Sequence, residues 1–252
     1  MKSYNISFQG HSEPLKARLD MPDDGEPKGW GLFAHCFTCN KNLKAVGNIN
    51  RSLAKANFAI LRFDFTGLGE SEGDFADTNF SSNIDDLIAA AQFMEEEYHA
   101  PQLLIGHSLG GAAVLQAAGK IDSIKAVSTI GAPCDPGHVS HLMESKREEI
   151  EEQGEARVKL AGRGFTIRKQ FLDDLEQARM DENIRKLGRA LMIFHSPVDQ
   201  TVGIENAAHI FQLAKHPKSF VSLDDADHLL VKEEDSRYVG SVIASWVGRY
   251  LG

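Results

Sequence analysis

The sequence predicts an α/β fold: a mostly parallel central sheet with helices on both faces and an antiparallel hairpin at one edge. Three observations predict it. Short, nearly continuous apolar runs such as 58–63 and 103–105 have the pattern of strands covered on both faces. Helical periodicities alternate with these runs, the order of a parallel sheet. The first twenty residues instead alternate with a period of two.

Taken in order, Tyr4, Ile6 and Phe8 share one face, Gly10-His11 turns, and Leu15, Ala17 and Leu19 repeat the period, which makes a hairpin. A turn-rich stretch follows, with Pro22, Asp23, Asp24, Gly25 and Pro27. Buried-strand runs come next at 30–34, 58–63, 103–105 and 126–130. Residues 82–98 place Ile84, Leu87, Ile88, Ala91 and Met94 at helical spacing, with Ser82 and Asp85 as the expected capping pair. Late strands are expected at 191–194 and 219–223, separated by a helix at 204–215. A last helix over 236–250 carries Val239, Val242, Ile243, Trp246 and Tyr250 on one stripe.

One segment breaks the alternation. Between 135 and 189 there is no buried-strand signal, only a charged helical stretch (144–155), a hairpin-like piece around Gly162-Arg163-Gly164, and a polar helix (170–186). An insertion of this length in a regular α/β domain acts as a lid or binding loop. The expected organisation is one domain over 1–252 with a cap at 135–189. The sequence has no internal repeat, low-complexity tract or clear linker.

Composition narrows the function. The 252 residues carry a net charge of −9, a field that repels phosphate backbones and argues against nucleic-acid binding. No apolar run approaches the roughly 20 residues needed to span a bilayer. The N-terminus has no apolar signal core, and three cysteines do not make a disulfide framework, so the expected location is cytoplasmic.

The chemistry centres on Gly106-His107-Ser108-Leu109-Gly110-Gly111, between a buried strand and an Ala-rich helix. This is G-x-S-x-G in its expected setting. A strand turning sharply into a helix strains its middle residue and excludes bulk two residues to either side. In return the Ser108 hydroxyl stands clear at the positive end of a helix.

With these residues in view, the chain resembles the α/β-hydrolase superfamily. That resemblance implies Ser, acid and His in chain order, each on a strand end. Asp199, in His195-Ser196-Pro197-Val198-Asp199, sits where the acid belongs, and His228, in Asp224-Asp225-Ala226-Asp227-His228, where the base belongs. Asp227 adjoins His228 and Asp224 and Asp225 occupy the turn, so these three are set aside. The oxyanion-hole N–H groups are expected from Leu109 and from Phe37, in the loop His35-Cys36-Phe37-Thr38-Cys39. Cys36 stands where the superfamily usually has Gly.

Cys36 and Cys39 also form C-x-x-C, which admits a redox pair or simple loop packing. They lack the second pair a zinc site needs, and His138 and His141 lack ligating company, so no metal and no cofactor is expected. Gly67-Leu68-Gly69 has its third glycine displaced and no helix behind it, which argues against a dinucleotide site. It looks instead like the Asp-x-Arg-Gly-x-Gly-x-Ser loop of many α/β-hydrolases, with Thr66 in place of Arg. Cys134 is expected at the lip of the cleft.

More narrowly, residues 33–39, 63–75 and 216–223 resemble the hydrolase half of bacterial hydrolase–OsmC fusion proteins, whose other half reduces organic peroxides. The resemblance implies a serine hydrolase acting on small-molecule esters or other acyl substrates through an acyl-Ser108 intermediate. Thioesterase or peptidase-like acyl hydrolysis and a redox-linked partner role are its alternatives. Oligomeric state is left open.

Overall fold

The hairpin expected at the N-terminus is β1 (Lys2–Gln9) and β2 (Pro14–Met21), paired in antiparallel register with Phe8 opposite Leu15. The chain then runs through β3 (Gly29–Ala34), α1 (Lys44–Lys55), β4 (Phe58–Phe63), α2 (Phe80–Glu97), β5 (Leu103–His107), α3 (Leu109–Ala117) and β6 (Ala126–Ile130). A 3-10 stretch (Pro136–Lys146) leads to α4 (Arg147–Gln153), β7 (Glu155–Leu160), β8 (Arg163–Arg168), α5 (Lys169–Gln177) and α6 (Met180–Arg185). Then come β9 (Ala190–His195), α7 (Glu205–Leu213), β10 (Lys218–Ser222) and α8 (Glu233–Leu251). This computed structural model describes residues 1–251 except Thr38, Ala161 and Gly162, and only the backbone of 138, 141 and 142. The turn expected at Gly162 and the side chains of His138 and His141 lie outside the described residues.

Among the described residues one sheet has the order β1-β2-β4-β3-β5-β6-β9-β10, with β7 and β8 forming a separate hairpin. Only β2 runs against the rest, antiparallel to β1 on one side and to β4 on the other. The strand period of two sorts the core into two faces. Leu32, Leu61, Leu104 and Leu191 point to α2, α3 and α7. Their neighbours Phe33, Ile60, Ile105 and Met192 point to α1 and α8. Consecutive buried residues on opposite faces are why these strands read as continuous apolar runs.

Several local expectations are corrected. The start of α2 is capped by Asn79, which exchanges hydrogen bonds with Ser82, so the reciprocal pair is Asn79–Ser82 and not Ser82–Asp85. Asn79 has the extended backbone a cap needs, whereas Ser82 already lies within the first turn. The charged stretch 144–155 is not one helix: it is 3-10 to Lys146 and α-helical only over 147–153. The polar helix 170–186 is two helices, broken where Ala178 goes extended. Helix α1, not among the expected elements, buries Val46, Ile49 and Leu53 at helical spacing together with Asn48 and Asn50. Asn50 donates to Asp20 (2.9 Å) and Asn48 to Ser236 (3.0 Å), which gives each buried amide nitrogen an acceptor within the fold.

The 135–189 segment is built into the body. Val158, Ile167, Phe171, Leu175 and Ile184 belong to the same apolar cluster as α2 and α3. Among the described residues no helix is long and apolar enough to cross a membrane.

Candidate active site

Strand β5 ends at His107 and α3 starts at Leu109, so Ser108 alone makes the turn, with φ 55° and ψ −125°. A side-chain-bearing residue held there stores on the order of 1–3 kcal/mol of backbone strain. Two glycines make the turn feasible. A Cβ on Gly106 would sit 2.3 Å from the Gly110 carbonyl oxygen, and one on Gly110 would sit 2.4 Å from the Ala34 carbonyl oxygen. The Ser108 amide donates to the Ile130 carbonyl (2.8 Å), which ties the turn to β6.

The structure brings Ser108, Asp199 and His228 together. His228 Nδ1 lies 2.7 Å from Asp199 Oδ2, and His228 Nε2 lies 3.0 Å from Ser108 Oγ. A carboxylate only accepts, so Nδ1 carries the proton and Nε2 is free to accept from the hydroxyl. Asp199 also accepts from the amides of Thr201 (2.8 Å) and Val202 (3.0 Å) at its other oxygen. Burial pushes the Asp199 carboxyl upward, but the hydrogen bonds from His228 and these amides outweigh it and hold it below the usual carboxylate range. The three neighbouring acids are engaged elsewhere: Asp227 accepts from the Leu229 amide (2.9 Å), Asp225 pairs with Lys232 (3.2 Å), and Asp224 accepts from Ser222 (2.9 Å).

Two further histidines brace this pair, and neither brace was expected from the residue pattern. His107 donates through Nε2 to the carbonyl of His228 (2.7 Å), and the two rings lie 5.2 Å apart. Burial, with the nearby His228 charge, pushes the His107 imidazole down to about 3. It is therefore a neutral donor under ordinary conditions. His195, fully buried at the end of β9, donates to the Val202 carbonyl (2.8 Å) and so closes the turn that carries Asp199. The sequence placed His107 in the elbow, but no local pattern reveals a partner 121 residues away.

The loop after β3 brings Cys36 and Cys39 into a disulfide, with Cα atoms 5.3 Å apart. His35 Nδ1 donates to the Cys36 carbonyl (2.8 Å). Further along, the Lys41 ammonium meets the fully buried Asp64 at 2.6 Å, and the Arg62 guanidinium bonds both Asp20 and the Lys41 carbonyl. These charges are paired and hydrogen-bonded, as burial requires. Asp64 also accepts from the Glu70 amide (2.9 Å), and Thr66, in the place of Arg, donates to Asp86 (2.8 Å). Residues 64–71 thus organise loops, and only a 3-10 turn (Phe75–Asp77) follows them.

Phe37 is half-buried, its ring 5.5 Å from Phe171 of α5 and 5.7 Å from Phe75. Leu109 opens α3, where amides have no partner inside the helix. A small cavity of about 10 Å³ lies between the two, lined also by His35, Cys36 and Gly110. Cys134 is half-buried near α7, with its amide on Asn206 (3.0 Å) and its thiol pushed up by burial. Among the described residues no group of three His, Cys, Asp or Glu could hold a metal.

Comparisons with known proteins bear on the fold and the class of reaction. Residues 33–146 match the family model described as serine aminopeptidase, S33. The esterase domain of a Rhodothermus marinus protein is 51% identical, with all of each chain covered and a TM-score of 0.82. Est1E of Butyrivibrio proteoclasticus, solved with ferulic acid bound, shares the fold at 20% identity and a TM-score of 0.81, over 98% of this chain and 99% of that one. A mitochondrial palmitoyl-protein thioesterase of Rattus norvegicus is 29% identical over 128 residues, which is 49% of this chain and 42% of that protein. The match to curated relatives such as this one and an uncharacterized Escherichia coli protein, YfhR, spans about half of their length.

Proposed function

The chain belongs to the α/β-hydrolase superfamily and is a hydrolase of the esterase/thioesterase type, and from that premise we propose that it cleaves carboxylic esters of small molecules through an acyl-Ser108 intermediate. The observation that carries the proposal is the unbroken hydrogen-bonded line from Asp199 through His228 to Ser108.

In this reading His228 Nε2 takes the hydroxyl proton as Ser108 Oγ attacks the acyl carbon. Asp199, held ionised, keeps the Nδ1 proton in place and stabilises the imidazolium that forms. The negative charge on the former carbonyl oxygen is met by the N–H groups of Leu109 and Phe37, at the positive end of α3. His228 then protonates the leaving oxygen, and the ester bond breaks. Water attacks the acyl-enzyme by the same route in reverse, which releases the acid and restores Ser108.

A fluorophosphonate probe tests the nucleophile. The protein is expected to label and to turn over nitrophenyl esters, and Ser108→Ala to do neither; labelling and turnover that survive the substitution would refute the proposal. The likeness to the rat thioesterase supports a second reading, thioester cleavage by the same groups. Matched O- and S-acyl substrates of one chain length separate the two. The bonded Cys36–Cys39 pair and the OsmC-fusion resemblance support a third, a redox-linked partner of a peroxide-reducing protein. It ranks last because it makes no use of the Ser108–His228–Asp199 line.

A further inference from the structure

The turn that carries the expected Phe37 donor is closed by a covalent bond. Cys36 and Cys39 are joined, three positions apart, and the Cys39 amide donates to the Cys36 carbonyl at 3.0 Å. A bridge over so short a loop removes little entropy from the unfolded chain, so it adds less global stability than a long-range one would. The fold does not need the bridge to hold a core, because apolar clusters fill both faces of the sheet. The effect of the bridge is therefore local. It ties Cys36, whose carbonyl accepts from His35, to Cys39, two residues before Lys41, which is anchored on Asp64. Between those anchors stands Phe37, whose ring also contacts Phe171 of the cap.

We propose that Cys36–Cys39 is a thiol–disulfide exchange site, and that its state decides whether the Phe37 amide is held in position to stabilise the oxyanion. The inference rests on the acyl-Ser108 reading. Its co-reactant class is a dithiol and the corresponding disulfide. Cys39 is half-buried and Cys36 buried, so Cys39 is the more approachable residue. A dithiol thiolate attacks the Cys39 sulfur, the Cys36–Cys39 bond breaks, and Cys36 leaves as a thiolate that takes a proton. The second thiolate of the reductant then closes its own disulfide and expels Cys39. Two electrons pass to the protein, one cyclic disulfide is released, and the reverse sequence restores the bridge. The bridged form is the competent one, because a donor positioned before reaction costs no reorganisation during it.

The test compares the bridged protein with protein reduced by dithiothreitol, two hydrogens heavier by mass and then freed of reductant. Both receive a nitrophenyl ester and a fluorophosphonate. The reduced form is expected to lose about tenfold or more in kcat and in labelling rate, with KM little changed, since weakening an oxyanion contact acts on the transition state. Oxidised dithiothreitol is expected to restore both. Cys36→Ser/Cys39→Ser is expected to match the reduced form and ignore both reagents, while Cys134→Ser follows the parent. Unchanged kcat after confirmed reduction overturns the proposal, as does a bridge that dithiothreitol does not open in the folded protein. A bridged protein that neither labels nor turns over refutes instead the acyl-Ser108 reading beneath it.

Discussion

The elbow at 103–117 and the segment 135–189, which we propose to be a cap, are held by different means. In the elbow every residue of β5 is buried, and the turn admits only glycine two positions to either side of Ser108. Its shape follows from local sterics. The cap has an amphipathic hairpin, exposed and buried by turns along β7, and short helices laced by exposed pairs such as Arg147–Glu151 and Lys169–Asp173. Exposed pairs of this kind contribute little, because solvent screens them. What holds the cap is its apolar underside, with Phe171 only 1% exposed and in contact with Phe37. Local sterics shape the elbow, whereas the 135–189 segment is specified by contacts with the rest of the fold.

The largest effect that would break this contrast is at the elbow. Ser108→Ala is expected to lower ester turnover by about four orders of magnitude or more while leaving the melting temperature nearly unchanged. Next, Asp199→Asn is expected to cost about 10³- to 10⁴-fold in kcat through loss of the correct tautomer. Asp227→Asn, which touches only the turn amides, is expected to retain activity. Retained activity in Asp199→Asn would move the acid elsewhere.

In the cap, Phe171→Ala is expected to destabilise the fold by about 3–5 kcal/mol, measured by urea denaturation, and to change acyl-chain preference. A change in stability with preference untouched would make the cap purely structural.

Stability should respond to pH through the sheet side. His35, His107 and His195 follow or end β3, β5 and β9, and burial lowers all three from 6.5. The unfolded chain protonates them first, so their contribution is present above pH 6.5 and lost as pH falls below it, for His107 down to about 3. Each imidazole contributes at most about 1.4 kcal/mol per pH unit in that window. The urea midpoint is expected to fall between pH 7 and pH 5.5; a flat profile would refute the neutral buried state. Asp86, raised by burial, has the opposite sign at lower pH. The smallest effect is at His107. His107→Phe removes the donor to the His228 carbonyl and is expected to lower kcat about tenfold at constant KM. His107→Gln, still a donor, is expected to recover part of it, and equal loss in both would make the ring's packing the cause.

Much of this was legible in the order of residues. Continuous apolar runs marked the buried strands, because both faces of this sheet are covered. Gly106 and Gly110 marked the elbow, because the turn leaves no room for a side chain. Asp199 and His228 were placed through the superfamily resemblance, which puts the acid and the base after late strands. Helix α1 went unread although Val46, Ile49 and Leu53 stand at helical spacing; what the residues could not show is that Asn48 and Asn50 are buried beside Ser236 and Asp20. Nor could spacing tell a bonded Cys36–Cys39 pair from two thiols.

What the sequence alone determined was the alternation of strands and helices and the identity of the strained serine, since both arise from interactions within a few residues. Only the tertiary structure decided that Asp199 and His228 reach Ser108, that His107 and His195 brace them, and that Phe171 rests on Phe37. Apart from the local His195–Val202 bond, those contacts join segments far apart in the chain, and their distances depend on how the whole sheet twists and packs, which no local pattern encodes.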